Sequence, residues 1–269
     1  MIETIEENTQ LSHSSSRDKW LADGFLIHKQ SIVSAKLLAE GLQGVEEVLA
    51  GNYDRGQPRA IIDVGQANKI QRITQIHHAN NKLFEIFSSK RIGELVHEIT
   101  GAKVVQVWGT QLYYKPAGSE LTGQVGFHCD SQHLNFLEGE FLTAWMPLTD
   151  ITMETGPLLY VKGSHQWDGE FQSSGGEKQD LDEQRRLMQA EYPGRPWQET
   201  PVIMKAGGIS FHHKNTYHGS AINYSDSARV AICFGILTDK ARLVGGGNDC
   251  GVSSIIDDPD YCPVLYNEY

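Results

Sequence analysis

Val104-Val105-Gln106-Val107-Trp108-Gly109-Thr110-Gln111-Leu112-Tyr113-Tyr114 is rich in β-branched and aromatic residues with polar side chains interleaved, the pattern of a strand on a pleated, half-buried surface. Runs of the same character follow at Phe141 to Leu148, Leu158 to Val161, Val202 to Met204 and Val230 to Leu237, punctuated by glycine, proline and aspartate. Helical spacers of roughly 10 to 15 residues are missing between most of them, so the pattern predicts an antiparallel barrel or sandwich and not a parallel βαβ sheet. Upstream, Leu38, Leu42, Val45 and Leu49 recur at steps of three and four and predict a helix within Ile32 to Leu49, ended by Gly51. A second helical pattern runs through Phe84, Ile92, Leu95, Val96 and Ile99 and closes at Gly101. These helices are expected to buttress the sheet.

Trp20, Leu21 and Phe25 around Gly24 are the first ordered signal, so residues 1–17 read as a flexible arm and 18–269 as one domain. One polar stretch, Asp168 to Thr200, holds Gly175-Gly176 and a short helical pattern from Leu181 to Glu191. A loop of this length inside a compact domain is either a lid or disordered, and its paired glycines and place before the His218 strand favour a lid over residues 168–200. The net charge of −11 argues against a nucleic-acid partner, because phosphate backbones are bound by clustered Lys and Arg. Cys129, Cys233, Cys250 and Cys262 form no C-x-x-C pair and are too sparse for a disulfide scaffold, which fits a reducing compartment. No basic, apolar leader and no stretch of membrane-spanning length is visible, and the expected location is cytoplasmic, with no membrane partner.

Chemistry concentrates in Gly126-Phe127-His128-Cys129-Asp130. Alternate strand positions point to one side, so His128 and Asp130 can share one metal ion. His218, in Tyr217-His218-Gly219-Ser220, offers a third ligand, with His212 and His213 as competitors on chemistry alone. Two imidazoles and a carboxylate on one face of an octahedral metal form the facial triad of Fe(II) oxygenases, with three positions left open. One cosubstrate, 2-oxoglutarate, fills two of these and O2 the last. Arg229, eleven residues after His218, can pair bidentately with the distal carboxylate of 2-oxoglutarate, and Ser220 can add a hydroxyl donor. Each piece also has a plain reading: a surface histidine before a turn, a hydrogen-bonded core histidine, a surface arginine on a strand. The ordered combination carries the argument.

That combination comprises His128-Cys129-Asp130, Ala144 to Asp150 (AWMPLTD), and Gly156-Pro157-Leu158 leading to Lys162-Gly163-Ser164-His165. It ends with His218, Ser220 and Asn223 followed by Arg229. In this order the set resembles the phytanoyl-CoA dioxygenase family from about Trp20 to Leu237. The resemblance implies a mainly β fold, a double-stranded β-helix (jelly-roll, cupin-like) barrel with flanking N-terminal helices. It implies iron on His128, Asp130 and His218, and selects His218 over His212 and His213 because only His218 has Ser220, Asn223 and Arg229 in register. It places Gln111 beside 2-oxoglutarate and Trp145 as an aromatic wall of the cosubstrate site. Lys162 departs from the proline common before Gly-Ser-His in the family, and Ser164 and His165 are read as structural. The carboxylate at Asp130 argues against halogenation, since related halogenases carry a small residue there.

Phe127, Trp108, Gln132, His133 and Trp167 are candidate pocket residues by their nearness in sequence. The substrate is expected to be a free, mostly apolar or neutral small molecule, such as a natural-product intermediate. A CoA thioester brings several phosphates, and no Lys or Arg occurs between Phe127 and Asp150. An acyl-CoA hydroxylase and a non-catalytic binding protein on the same barrel are the alternatives.

Overall fold

The computed structural model describes residues 11–66, 69–118, 123–169, 171–178, 180–244, 249 and 251–269. In chain order these form α1 (Leu11–Asp23), β1 (Phe25–His28), α2 (Ala35–Leu49), β2 (Ala60–Ile62), β3 (Gln71–Thr74), α3 (Asn81–Phe87), α4 (Lys90–Thr100), β4 (Val104–Lys115) and β5 (Val125–His128). They continue with β6 (Leu137–Pro147), β7 (Leu158–Val161), α5 (Leu181–Glu191), β8 (Glu199–Pro201), β9 (Ile209–His213), β10 (His218–Ser220), β11 (Arg229–Leu243) and β12 (Val264–Asn267). Every pairing among them is antiparallel. One sheet runs β1-β9-β6-β11-β4-β3-β2 with β12 added on β4, and the other runs β5-β10-β7-β8. These are the two sheets of the expected double-stranded β-helix.

β11 organises the larger sheet, pairing with β4 on one edge and β6 on the other. Its side chains alternate between two environments. Val230, Ile232, Phe234 and Ile236 face a core built with α2, α3 and α4, whereas Arg229, Cys233 and Gly235 line the cavity inside the barrel. The helices therefore buttress the sheet from outside, and the Phe87 and Phe234 rings meet at 4.5 Å. Gly41 and Gly44 let α2 approach α3, because a Cβ on Gly41 would strike Ile86 and one on Gly44 would strike Asn80. β4 follows the same alternation with one interruption. Gly235 faces Gly109 and Ile236 faces Val107, so Trp108 is an extra residue in the ladder, and this bulge reverses which parity points inward. Val105 and Val107 face the helices before it, whereas Gln111 and Tyr113 face the cavity after it.

Several elements differ from expectation. Helix α1 begins at Leu11, so residues 11–17 of the expected arm are helical, while residues 1–10 lie outside the described residues. The helical pattern from Phe84 to Ile99 splits at Ser88-Ser89, which close α3 and open α4, and the Ser88 hydroxyl caps the Phe84 carbonyl at 2.8 Å. Val202 to Met204 is not a strand. The ladder with β7 is made earlier, by β8, and its last pair is Leu159 with Pro201; the Val202 N–H still donates to the Leu158 carbonyl at 2.8 Å, and Met204 makes only an isolated bridge to Ile151. Among the described residues, no helix is long and apolar enough to cross a membrane.

The C-terminal segment straps the barrel through β4. β12 pairs with it, and Gln106 Nε2 donates to the carbonyls of Ile256 (2.7 Å) and Cys262 (3.0 Å). His77 joins both parts: its Nδ1 lies 2.7 Å from Thr110 Oγ1 and its Nε2 2.6 Å from the Tyr261 carbonyl. Burial pushes the His77 imidazole from 6.5 down to about 3. The folded chain thus binds no proton there over a range in which the unfolded chain does, and stability present above pH 6.5 is lost as pH falls towards 3. Between pH 7 and pH 5 this group should cost about 2 kcal/mol of unfolding free energy. Urea titrations of wild type and His77→Gln at the two pH values should show a shallower pH dependence in the variant by that amount.

Candidate active site

β5 ends at His128. Cys129 remains extended (φ −118°, ψ 149°), and Asp130 opens one turn of 3-10 helix, Asp130–Gln132. Asp130 is therefore not on the strand, yet the extended Cys129 keeps both side chains on one side. His218 opens β10 directly opposite His128 in the β5–β10 ladder. One ligand atom from each of His128, Asp130 and His218 falls within a group whose members lie no more than 4.8 Å apart. A site of this size suits a metal ion held by two nitrogens and an oxygen.

The surroundings orient these ligand atoms. His128 Nδ1 lies 2.8 Å from the Gly126 carbonyl and His218 Nδ1 2.9 Å from the Thr216 carbonyl. A carbonyl only accepts, so each Nδ1 carries the hydrogen and each Nε2 is left with the lone pair a metal needs. Asp130 Oδ2 is held by Thr143 Oγ1 at 2.5 Å and His212 Nε2 at 3.1 Å, while Oδ1 lies 3.7 Å from His218 Nε2. Behind His212, Tyr160 Oη lies 3.1 Å from its Nδ1 and 2.8 Å from Ser210 Oγ. Burial by itself would raise the Asp130 carboxyl, but the His212 hydrogen bond and the neighbouring imidazoles outweigh it and hold the group well below the usual carboxylate range. Burial pushes His128 and His218 down. Ionised carboxylate and neutral imidazoles are the states in which these groups ligate. Of the two competing histidines, His212 serves Asp130, and His213 sits away from the centre, its ring near Trp20 and His165.

The three residues stand on the wall of a cavity of about 660 Å³, a size suited to a small organic ligand. Gln111, Trp145, Ser220 and Arg229 line it as well. Arg229 is only 2% exposed; it donates to the Gly156 carbonyl at 3.2 Å, and its Nε has no hydrogen-bond partner among the described residues. Burial pushes its guanidinium down to about 10, so it stays charged at neutral pH. Trp145 lies beside it, with the guanidinium carbon 5.6 Å from the ring centroid. Gln111 accepts from Tyr113 Oη at 2.6 Å.

Trp108 and His133 reach the cavity, as expected. Phe127, Gln132 and Trp167 do not line it. Phe127 is next to His128 on β5 and so points the opposite way, against Trp197 at 5.2 Å. Gln132 is engaged with the Cys129 N–H (3.2 Å) and Ser174 Oγ (2.8 Å), and Trp167 belongs to an aromatic cluster with Phe171, Trp197 and Tyr217. Tyr113, Thr143 and Cys233 line the cavity although sequence reasoning passed over them. Stepping by two from Gln111, Trp145 and Arg229 finds all three. His212, Lys69 and Arg72 carried no such signal.

A family profile described as "Phytanoyl-CoA dioxygenase (PhyH)" matches residues 20–231. The chain belongs to this family. It is 27% identical over 230 residues to an ectoine dioxygenase of Bordetella parapertussis, covering 78% of this chain and 70% of that one. It is 25% identical over 195 residues to phytanoyl-CoA dioxygenase domain-containing protein 1 of Rattus norvegicus, covering 66% and 61%. The fold matches the non-haem α-ketoglutarate-dependent carbocyclase SnoK of nogalamycin biosynthesis, with a TM-score of 0.69, 24% identity and 94% and 93% of the two chains covered. It also matches EctD from S. alaskensis, solved with 2-oxoglutarate and 5-hydroxyectoine, with a TM-score of 0.66, 19% identity and 90% and 81% coverage. The protein is a non-haem iron dioxygenase that uses 2-oxoglutarate and O2.

If His212 orients the carboxylate, His212→Ala should weaken Fe(II) binding roughly 10- to 100-fold. Competition with a chelator under argon measures this, and unaltered affinity would leave the orientation to Thr143 alone.

Proposed function

We propose that this dioxygenase hydroxylates or otherwise oxidises a free, small, mostly apolar or neutral metabolite, of the kind handled in natural-product biosynthesis, with His128, Asp130 and His218 as its iron ligands. The observation that carries the cosubstrate assignment is Arg229: a buried guanidinium, without a carboxylate partner among the described residues, on the wall of the cavity that holds the His-Asp-His group. A charge in that position calls for an anion, and the distal carboxylate of 2-oxoglutarate supplies one of matching shape. When bound, iron and 2-oxoglutarate supply oxidative decarboxylation to succinate and CO2 coupled to oxidation of a substrate C–H bond.

The chain's own part is placement. Arg229, Ser220, Trp145 and Gln111 seat the cosubstrate, and Trp108, His133 and the β3 wall face the substrate. Lys69 and Arg72 reach that wall, but Lys69 is paired with Asp63 (3.4 Å), and Asp63 and Glu177 line the same cavity. The mixed wall is not the basic groove that several CoA phosphates need. Segment 168–200 serves as a lid. Its Gly176 and Glu177 line the cavity, and it is anchored to β5 by the buried Gln184, whose amide meets the Phe127 N–H at 2.6 Å and the Phe127 carbonyl at 2.8 Å.

Succinate release with Fe(II) and O2, screened over neutral terpenoid or polyketide-like compounds, free acids and their CoA thioesters, tests the substrate class. Efficient, salt-sensitive oxidation of a thioester with the neutral compounds untouched would overturn it. Asp130→Ala and His218→Ala should fold and lose substrate-dependent succinate release, and an unchanged yield in either removes it from the ligand set. Arg229→Ala should raise the KM for 2-oxoglutarate at least a hundredfold, since an unpaired buried carboxylate costs roughly 3 to 5 kcal/mol. Limited proteolysis should cut within 168–200 in the substrate-free protein, more slowly with true substrate, and faster in Gln184→Ala. Cleavage indifferent to substrate would reduce the segment to a surface loop.

A further inference from the structure

Lys115 ends β4 on the same inward parity as Gln111 and Tyr113, but it stands behind the cavity wall and is 0% exposed. Its Nζ lies 2.8 Å from Ser220 Oγ and 3.4 Å from the Ser220 carbonyl, and it also donates to the Ala221 carbonyl. Across the ladder its direct partner is Arg229. Two basic side chains are thus buried side by side, and among the described residues no carboxylate pairs with either. Burial, and after it the Arg229 charge, push the Lys115 ammonium well below its ordinary range. An anion seated against Arg229 acts on Lys115 in the opposite sense.

Ser220 stands between Lys115 and the cavity. It is 3% exposed, it lines the cavity, and Lys115 is the hydrogen-bond partner of its hydroxyl among the described residues. A serine oxygen accepts through its lone pairs and donates through its single hydrogen. With Lys115 donating to the oxygen, that hydrogen is left for an acceptor inside the cavity. Asn223 fixes the frame, its Nδ2 donating to the carbonyls of Lys115 (3.3 Å), Pro116 (2.9 Å) and Ser227 (2.8 Å). The end of β4 is thereby tied to the loop that presents Ala221.

We propose that Lys115 is a positioning residue for the cosubstrate: it holds the Ser220 hydroxyl as a donor to the distal carboxylate of 2-oxoglutarate, beside Arg229. The inference rests on the proposed seat of that carboxylate. It makes Lys115, which touches neither ligand, a determinant of the preference for a 2-oxo diacid over a 2-oxo acid with no distal carboxylate.

Calorimetric titration of the metal-loaded protein under argon, with 2-oxoglutarate and with 2-oxobutanoate, tests it. Lys115→Met should weaken 2-oxoglutarate binding roughly ten- to hundredfold and leave 2-oxobutanoate binding unchanged. Ser220→Ala should do the same, and the double variant should be no worse than either single one. Equal weakening of both ligands would make Lys115 merely structural, effects that multiply in the double variant would show it does not act through Ser220, and unchanged 2-oxoglutarate binding would refute it outright. Should circular dichroism show that Lys115→Met does not fold, Lys115→Gln takes its place; it should lose part of the preference for 2-oxoglutarate, and an unaltered preference overturns the proposal. Arg229→Ala separates the two levels. If it too leaves the preference intact, the seat itself is wrong; if it abolishes the preference while the Lys115 variants keep it, only the Lys115 role falls.

Discussion

His218 facing His128 across the β5–β10 ladder is the contact on which the rest of the site depends. It joins two short strands far apart in sequence and sets two tilted imidazole rings 4.4 Å apart, with ligand atoms of both within 4.8 Å of one from Asp130. Both rings hand their Nδ1 hydrogens to carbonyls two residues upstream, so the tautomer each needs is set by its own local backbone. A slip of one residue in this ladder would put Phe127 or Cys129 in place of His128 and turn the ligand outwards, because side chains alternate with a period of two.

The larger sheet divides its labour by the same alternation. Along β11, one parity feeds the helix-backed core and the other supplies the cavity with Arg229, Cys233 and Gly235. β4 would present the wrong parity to the cavity over half its length were it not for the bulge at Trp108, which Gln75 braces by accepting from the Thr110 N–H at 3.1 Å. Gln75 adopts a left-handed conformation (φ 58°) to do so, an uncommon choice for a residue with a Cβ. Local backbone cost is accepted here, beside the strand that carries Gln111 and Lys115.

Charge is balanced differently in three parts of the site. On the cavity wall Lys69 is offset by Asp63, in the His128-Asp130-His218 group one carboxylate is steadied by a histidine and a threonine, and at the junction of β4 and β11 Lys115 and Arg229 lie buried with no carboxylate partner among the described residues. That last arrangement is costly for a protein on its own and becomes favourable when an anion is received.

The sequence by itself determined the strand-rich second half, helices α2 and α5 and the helix end at Gly101, because each rests on local periodicity, and it offered His128, Asp130 and Arg229 as candidates by spacing, with His218 chosen over His212 and His213 only through the family resemblance. The short strands β2, β3, β9 and β10 were not legible, since so few residues show no period and their hydrogen-bond partners lie elsewhere in the chain. For the same reason only the tertiary structure decided that His212 braces Asp130, that Phe127 and Trp167 face away from the cavity, that Lys69 and Arg72 reach its wall, and that Lys115 stands behind Ser220. Residue types can be read one at a time, but which side of a strand they occupy after a bulge, and what stands opposite, is set by pairing across long stretches of chain.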